Sequence, residues 1–393
     1  MKVAVTLLLA LIVEVFFIAL IRRVVYLDGY WLARGGVAFI VFYILVVGVK
    51  NSGWSWRTGD WRRVRVKALG VWACWFVLLA YTAFLSSVLN EGQSLDFLQD
   101  FLFLLPVFLL LMPFYLYWAD GNSDQSEDGY FVLGEVLLRR RRWLWSEQRA
   151  FVLGWVVKIF FIPIMYSGLF MSFSFLISYE WKFYPESLVK GIFLFGLTFD
   201  LLIATLGYIL SSRLMKTEIL STEPTLLGWF VCLICYPPFL SVFKLVREQA
   251  DNILWYDWLN PEQALYWLWL FLVVFSWAGY WFSNACFGLR FSNLTWRGLV
   301  SWGPYAVMKH PSYVFKNFYW WISTVPFIGV EFGLDMLRNF LALTFVSGVY
   351  YLRAKTEERH LQAFSEYRAY SEALKVSGLC SRLLNFRKRS LEV

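Results

Sequence analysis

Long apolar runs separated by short polar stretches make up most of the chain. Runs of about 18 apolar residues or more are typical of membrane-spanning helices. Backbone polar groups inside a bilayer must be satisfied within one segment, which favours helices over other structures. We therefore predict an all-α polytopic membrane protein with about ten transmembrane helices. The predicted spans are residues 3–21, 35–49, 68–89, 97–118, 150–177, 188–210, 226–243, 265–285, 313–330 and 337–352.

The composition supports a membrane protein. The chain is 59% hydrophobic and only 16% charged, and its mean hydropathy is +0.55, whereas soluble domains are nearer a quarter charged. The net charge of +8 does not require a nucleic-acid partner, because basic residues in short loops also orient a chain in a bilayer. We expect the lipid bilayer as a partner, no nucleic acid and no metal.

The distribution of basic residues predicts the orientation. Loop 50–67 contains six Lys and Arg residues, whereas loop 90–96 contains none. With ten spans, the basic loops fall on one side except for loop 22–34, which has three arginines, and that side is expected to be cytoplasmic. The prediction is a multi-pass protein with both termini in the cytoplasm, in the plasma membrane or in the inner membrane of a bacterium.

The polar stretches suggest how the chain is divided. Residues 1–264 are predicted to form an N-terminal membrane bundle that includes a long cytosolic loop at 119–149. Residues 265–380 form the segment that carries the candidate chemistry, and 381–393 form a basic tail.

Charged side chains inside the predicted spans are costly in lipid and therefore informative. Glu14, Lys158 and Asp200 are three such residues. They can form structural pairs, line a water-filled seam or belong to a substrate path. The similar depths of Lys158 and Asp200 predict that these two pair with each other.

The first candidate cluster lies between two apolar runs, at residues 302–313, and includes one of only two histidines, His310. Proline suits the first turn of a helix, so Pro311 predicts a helix start with His310 at its cap. The free backbone amides at such a start can bind an anion. Gly303-Pro304 predicts a turn just before it.

The second cluster follows the next apolar run and contains Glu357, Glu358 and Leu361 within about one helical turn. A hairpin of two helices would bring both clusters to the same membrane face. Apolar residues then recur at steps of three and four, which predicts an amphipathic C-terminal cytosolic helix. These residues are Leu361, Phe364, Tyr367, Tyr370 and Leu374.

Taken together, these motifs resemble a known family. Gly303-Pro304-Tyr305, Lys309-His310-Pro311-x-Tyr313, Glu357-Glu358-x-x-Leu361 and Tyr367-x-x-Tyr370 are similar to the isoprenylcysteine carboxyl methyltransferase and phospholipid methyltransferase family of integral membrane enzymes. The similarity covers roughly residues 265–375. The sequence departs from the family at Lys309, where arginine is commoner, and after Tyr370, where a basic pair followed by Val-Pro is expected.

The resemblance implies an S-adenosylmethionine-dependent methyltransferase that acts at the cytosolic membrane face on a lipid-like or prenylated acceptor, either a carboxylate or an amine. It implies that His310 and Glu358 are catalytic. The residues it implies for the cofactor are Gly303, Tyr305, Lys309, His310, Pro311, Tyr313, Glu357, Glu358 and Leu361.

Two other functions compete with this one. NADPH-dependent lipid or sterol reductases look similar over the His-Pro-x-Tyr hairpin, but they usually have Asn where this chain has Ser312 and Gly-Glu beyond the tyrosine. A non-enzymatic membrane transport or assembly protein would use the long N-terminal bundle and the charges within its spans.

Overall fold

The computed structural model describes residues 2–21, 29–53, 55–89, 95–122, 127–250, 254–325, 330 and 333–378. Within these ranges the chain forms fourteen α-helices. They are α1 (Lys2–Ile21), α2 (Gly29–Ser52), α3 (Trp61–Leu89), α4 (Leu95–Gly121), α5 (Gly129–Leu137), α6 (Trp145–Ser178), α7 (Pro185–Ile209), α8 (Leu226–Leu233), α9 (Leu240–Arg247), α10 (Trp255–Trp258), α11 (Ala264–Ala285), α12 (Pro311–Ser323), α13 (Leu334–Leu361) and α14 (Ser365–Ser377). Short 3₁₀ turns occur at Gly288–Arg290 and Gly303–Ala306, and two-residue strands at Ser221–Thr222 and Thr295–Trp296.

Six of the helices in the described residues are long and apolar enough to cross a membrane. At about 1.5 Å rise per residue, a helix needs ~20 residues for a hydrocarbon core of ~30 Å. The candidate segments are Trp31–Asn51, Trp61–Ser87, Asp96–Gly121, Trp145–Ser178, Pro185–Ile209 and Ala264–Ala285. The predominantly helical, apolar architecture predicted from the sequence is therefore present. The predicted basic tail at 381–393 lies outside the described residues.

The apolar run at 226–243, predicted as one span, forms two helices of eight residues each, α8 and α9. Pro237 and Pro238 lie between them. Proline lacks a backbone N–H and clashes with the preceding helical turn, so one straight helix cannot continue through this pair. The ninth predicted span contains the 13-residue helix α12, and residues 326–329 of that run lie outside the described residues.

The chain divides into two compact units. One comprises Met1–Thr6, Tyr179–Ile203 and Glu223–Val393, and the other comprises Leu7–Ser178 and Ala204–Thr222. We call them the C-terminal unit and the N-terminal unit. The C-terminal unit contains the whole candidate segment 265–380, together with most of α7 and the region of α8 to α10.

Lys158 and Asp200 belong to different units. The Lys158 ammonium lies 4.9 Å from the centre of the Trp155 ring, and the Asp200 carboxylate accepts hydrogen bonds from Tyr280 and Asn284. Each charge thus has neighbours within its own unit. The pairing of the two stays a prediction.

In the N-terminal unit, α3 and α5 cross in close backbone contact at two glycines. A Cβ atom added to Gly70 would lie 2.1 Å from the carbonyl oxygen of Tyr130, and one added to Gly134 would lie 2.0 Å from that of Val66. Small residues allow helix backbones to approach closely, which matters most where lipid replaces water and hydrophobic association is weak. Neither position has room for a side chain.

In the C-terminal unit, α12 and α13 lie side by side and are joined by polar contacts. Trp321 Nε1 donates a hydrogen bond to Ser347 Oγ at 3.0 Å, and Trp320 Nε1 donates to Tyr350 Oη at 3.3 Å. Helix α11 packs on α12 so closely that a Cβ on Gly279 would lie 2.5 Å from the Phe315 ring. This packing places the start of α12 beside the last turns of α13.

The glycine crossing yields a stability prediction. Gly134→Ala should destabilise the protein by about 1–3 kcal/mol, because the new methyl group must push α3 and α5 apart. Gly35→Ala is the matched control, since Gly35 is also helical and has no atom within 4 Å of an added Cβ. Thermal unfolding of the detergent-solubilised variants measures the difference. Equal melting temperatures for the two variants would show that the crossing can relax without cost.

Candidate functional site

The polar segment before α12 is a tight turn that ends at a proline. Gly303 has a φ of +63°, and a Cβ there would lie 2.8 Å from Cys286 Sγ, so both its conformation and its surroundings favour glycine. Pro311 is the first residue of α12, as the sequence predicts, and His310 is its N-cap residue. The turn and the proline together fix where α12 begins and place His310 at its N-cap.

Helix α13 brings two carboxylates to His310. Its Nδ1 atom lies 3.6 Å from Glu357 Oε2, and its Nε2 atom lies 3.4 Å from Glu358 Oε1. Lys309 Nζ lies 3.7 Å from the same Glu358 oxygen, and the Tyr313 hydroxyl donates a hydrogen bond to Glu357 Oε1. The two clusters that lie 47 residues apart in the sequence form one network, which we call the ion cluster.

Electrostatics keep the ion cluster charged. Burial by itself would lower the pKa of His310, but the carboxylates of Glu357 and Glu358 outweigh it and raise that pKa to about 9. Burial would raise the pKa of Glu357, but His310 and Arg353 outweigh it and lower the pKa below its usual value. The hydrogen-bonding contact with His310 also lowers the pKa of Glu358. At neutral pH, His310 is therefore an imidazolium between two carboxylates.

Helix α14 covers the turn before α12. Tyr370 Oη donates to the carbonyl oxygen of Tyr305 at 2.6 Å. Tyr367 is buried, and its hydroxyl has no hydrogen-bond partner among the described residues. A buried polar atom without a partner is unusual, because no hydrogen bond offsets the free energy lost when it leaves water. The Tyr367 hydroxyl is therefore available to a ligand.

The ion cluster borders a cavity that lies within the C-terminal unit. The space between its lining atoms, including the part open to solvent, is about 1310 Å³. Six of the predicted site residues line it: Tyr305, Lys309, His310, Tyr313, Glu357 and Leu361. Gly303, Pro311 and Glu358 are not part of the lining. Gly303 and Pro311 shape the turn, and Glu358 contacts His310 and Lys309.

Most of the lining was not among the predicted site residues. Part of it comes from the loop at 286–300, where Asn293 accepts a hydrogen bond from Arg353 Nη2 at 2.9 Å and donates one to the Tyr236 hydroxyl at 3.1 Å. The second histidine, His360, also lines the cavity, and its Nδ1 atom lies 3.9 Å from Glu223 Oε2.

The signals for these residues were weak in the sequence. The loop at 286–300 interrupts the apolar pattern with Arg290 and Arg297, which could have marked it as a polar lining. Glu223 and Tyr236 carried no such mark, because the first lies just before, and the second within, the apolar run at 226–243 that was predicted as a span.

No protein-family model matches this chain, and no significant match was found among curated proteins or among solved structures.

The ion cluster yields a prediction of pH dependence. The pKa of His310 is raised from 6.5 to about 9, so its stabilising effect is complete below pH 6.5 and is lost as the pH rises through about 9. The loss should be on the order of 3 kcal/mol at 1.36 kcal/mol per pKa unit. Thermal unfolding of the wild type and of His310→Gln between about pH 6 and 10 tests this. A decline of the same size in His310→Gln would assign it to other groups.

Proposed function

We propose that the protein is a membrane-embedded methyltransferase that uses S-adenosylmethionine and acts on a lipophilic acceptor at the cytosolic face. The observation that carries the proposal is the ion cluster, because the residues of the methyltransferase-like motif come together at one cavity. The motif was recognised from residues distant in the sequence, and their shared cavity supports a shared ligand.

The lining fits the chemical groups of this cofactor. S-Adenosylmethionine carries an ammonium, a carboxylate, ribose hydroxyls and an adenine ring. Glu357 supplies carboxylate oxygens for an ammonium or for hydroxyls, and Lys309 and the first amides of α12 favour a carboxylate. The Tyr367 hydroxyl, which has no partner among the described residues, offers one more polar contact.

The bound cofactor would supply an electrophilic methyl group. The protein then has to position the two reactants and to exclude water. Effective molarities show that positioning lowers the activation barrier by several kcal/mol, on the order of 7–11 kcal/mol for ideal geometry. A carboxylate acceptor needs no general base. His310 holds its proton at neutral pH, so it is better suited to fixing the two carboxylates than to removing a proton.

The membrane arrangement completes the proposal. We propose about ten spans with both termini in the cytoplasm, in which the run at 226–243 counts as one span made of α8 and α9. All the basic loops except 22–34 then share one side. The ion cluster at the start of α12 and the end of α13, and the α14 helix over it, lie at the cytosolic face. An acceptor with an apolar tail reaches such a site from the lipid phase.

A second candidate is an NADPH-dependent reductase, and one observation favours it. The cavity lining contains five basic residues, Arg290, Arg297, Lys309, Lys316 and Arg353, against the two acidic residues Glu223 and Glu357. A basic excess of this kind suits the phosphates of a nicotinamide dinucleotide. Titration of the purified protein with S-adenosylmethionine and, separately, with NADPH distinguishes the two candidates.

Substitutions in the ion cluster test the methyltransferase proposal. We expect the wild type to bind S-adenosylmethionine and His310→Ala to weaken binding roughly tenfold or more, equivalent to about 1.4 kcal/mol, because Glu357 and Glu358 then repel each other. Isothermal titration measures the affinity. Unchanged binding in His310→Ala would leave His310 as a helix cap only.

Glu358→Gln separates chemistry from stability. It should abolish methyl transfer while the melting temperature stays close to that of the wild type. The matched control is Glu372→Gln, because Glu372 is 67% exposed and pairs with Lys375 on the surface of α14. Methyl transfer is followed as radiolabel passing from the cofactor into extracted lipid. A large loss of stability with cofactor binding retained would mark Glu358 as a structural ion-pair partner.

A further inference from the structure

A second polar cluster lies on α7, α11 and α12 in the C-terminal unit. Asp200 on α7 accepts a hydrogen bond from Asn284 Nδ2 at 2.7 Å through Oδ1, and one from Tyr280 Oη at 3.0 Å through Oδ2. Tyr280 and Asn284 are four residues apart on α11 and therefore share one face of it. Both line the same cavity as the ion cluster. Asp200 thus holds two cavity-lining side chains in place.

Lys316 completes this cluster from α12. Its ammonium lies 5.0 Å from the centre of the Tyr280 ring, a cation–π distance. Lys316 lines the cavity and is half-buried. Among the residues that the structure describes, no carboxylate lies within ion-pair distance of its ammonium. The other lysine of the lining, Lys309, has such a partner in Glu358.

The position of Lys316 on α12 separates it from the ion cluster. It lies six residues beyond His310, which is ~9 Å further along the helix axis. It is three residues beyond Tyr313, so both side chains are on the cavity side of α12. A cation at that place is inside the predicted ninth span, where a charge is costly unless a counter-charge is near. Asp200 attracts Lys316 electrostatically but is not in ion-pair contact with it. An anionic ligand group in direct contact with the ammonium would reduce that cost further.

We infer that Lys316 is the counter-charge for an oxyanion, a carboxylate or a phosphate, on the polar end of the lipophilic ligand, and that Tyr280 and Asn284, held by Asp200, form the rest of this subsite. The inference rests on the proposed function in one respect, that the ligand is the methyl acceptor. It makes the acceptor an anionic amphiphile and assigns the start and the middle of α12 to the two ligands. The ion cluster serves the cofactor, and Lys316 serves the acceptor.

The first arm of the test uses the wild type and needs no variant to fold. Binding of oleate is compared with that of oleyl alcohol, and binding of dioleoyl phosphatidate with that of dioleoylglycerol, in uncharged detergent micelles. Each pair has matched tails and differs in charge. We expect at least one anionic member to bind roughly tenfold or more tightly than its neutral partner, and the pair that responds identifies a carboxylate or a phosphate. Equal affinities within both pairs would overturn the inference.

The second arm assigns the preference to Lys316. Lys316→Met should abolish it, and Lys316→Arg should retain most of it because the charge remains. Lys375→Met is the control, since that lysine is 65% exposed on α14, and it should behave as the wild type. A preference that survives in Lys316→Met would overturn the inference and leave Lys316 as a distant structural partner of Asp200.

S-Adenosylmethionine affinity is measured on the same samples. If the cofactor does not bind the wild type but the anion preference still depends on Lys316, the methyltransferase proposal fails and the subsite stands. If the cofactor binds and the preference is absent, the methyltransferase proposal stands and the inference about Lys316 fails.

Discussion

The contact between His310 and two carboxylates supports the whole candidate site, because it joins the first residue before α12 to the last turns of α13. Glu357 and Glu358, which lie close together and are partly buried, would repel each other and take up protons without a cation between them. The imidazolium of His310 attracts both carboxylates and so offsets their mutual repulsion. The same attraction raises the pKa of His310. Breaking the His310–Glu357 pair, the more deeply buried of the two, leaves an uncompensated charge, which costs more than the pair contributes.

The cavity beside this contact has two chemically different parts. Near the ion cluster, acidic and basic groups alternate and most charges have partners. Around Lys316, the cation contacts the Tyr280 ring, and Asp200 is already bound to Asn284 and Tyr280. One helix, α12, contributes to both parts. A single rigid element can therefore fix the distance between two ligands, which is the main requirement for a transfer reaction between them.

Close backbone packing holds the apolar helices in register. In the N-terminal unit, the crossing of α3 and α5 depends on Gly70 and Gly134. In the C-terminal unit, Gly279 allows the Phe315 ring of α12 to lie against α11. Helices that face lipid gain little from burying apolar area against each other, so close contact and interhelical hydrogen bonds must supply the specificity. In the C-terminal unit, Gly279 therefore helps to position α12 although it does not line the cavity.

The sequence by itself determined most of the helices and the ion cluster at one side of the cavity. Long apolar runs require helices, Pro311 marks the start of α12, and a helical hairpin brings His310 to Glu357 because its two ends must meet. The tertiary structure alone decided the rest. Two prolines divided a run that hydropathy presented as one span, and Asn293 and Tyr280 became lining residues through contacts with segments 57 and 80 residues away. Periodicity reports which face of a helix is apolar, but it carries no information on which distant segment will cover that face.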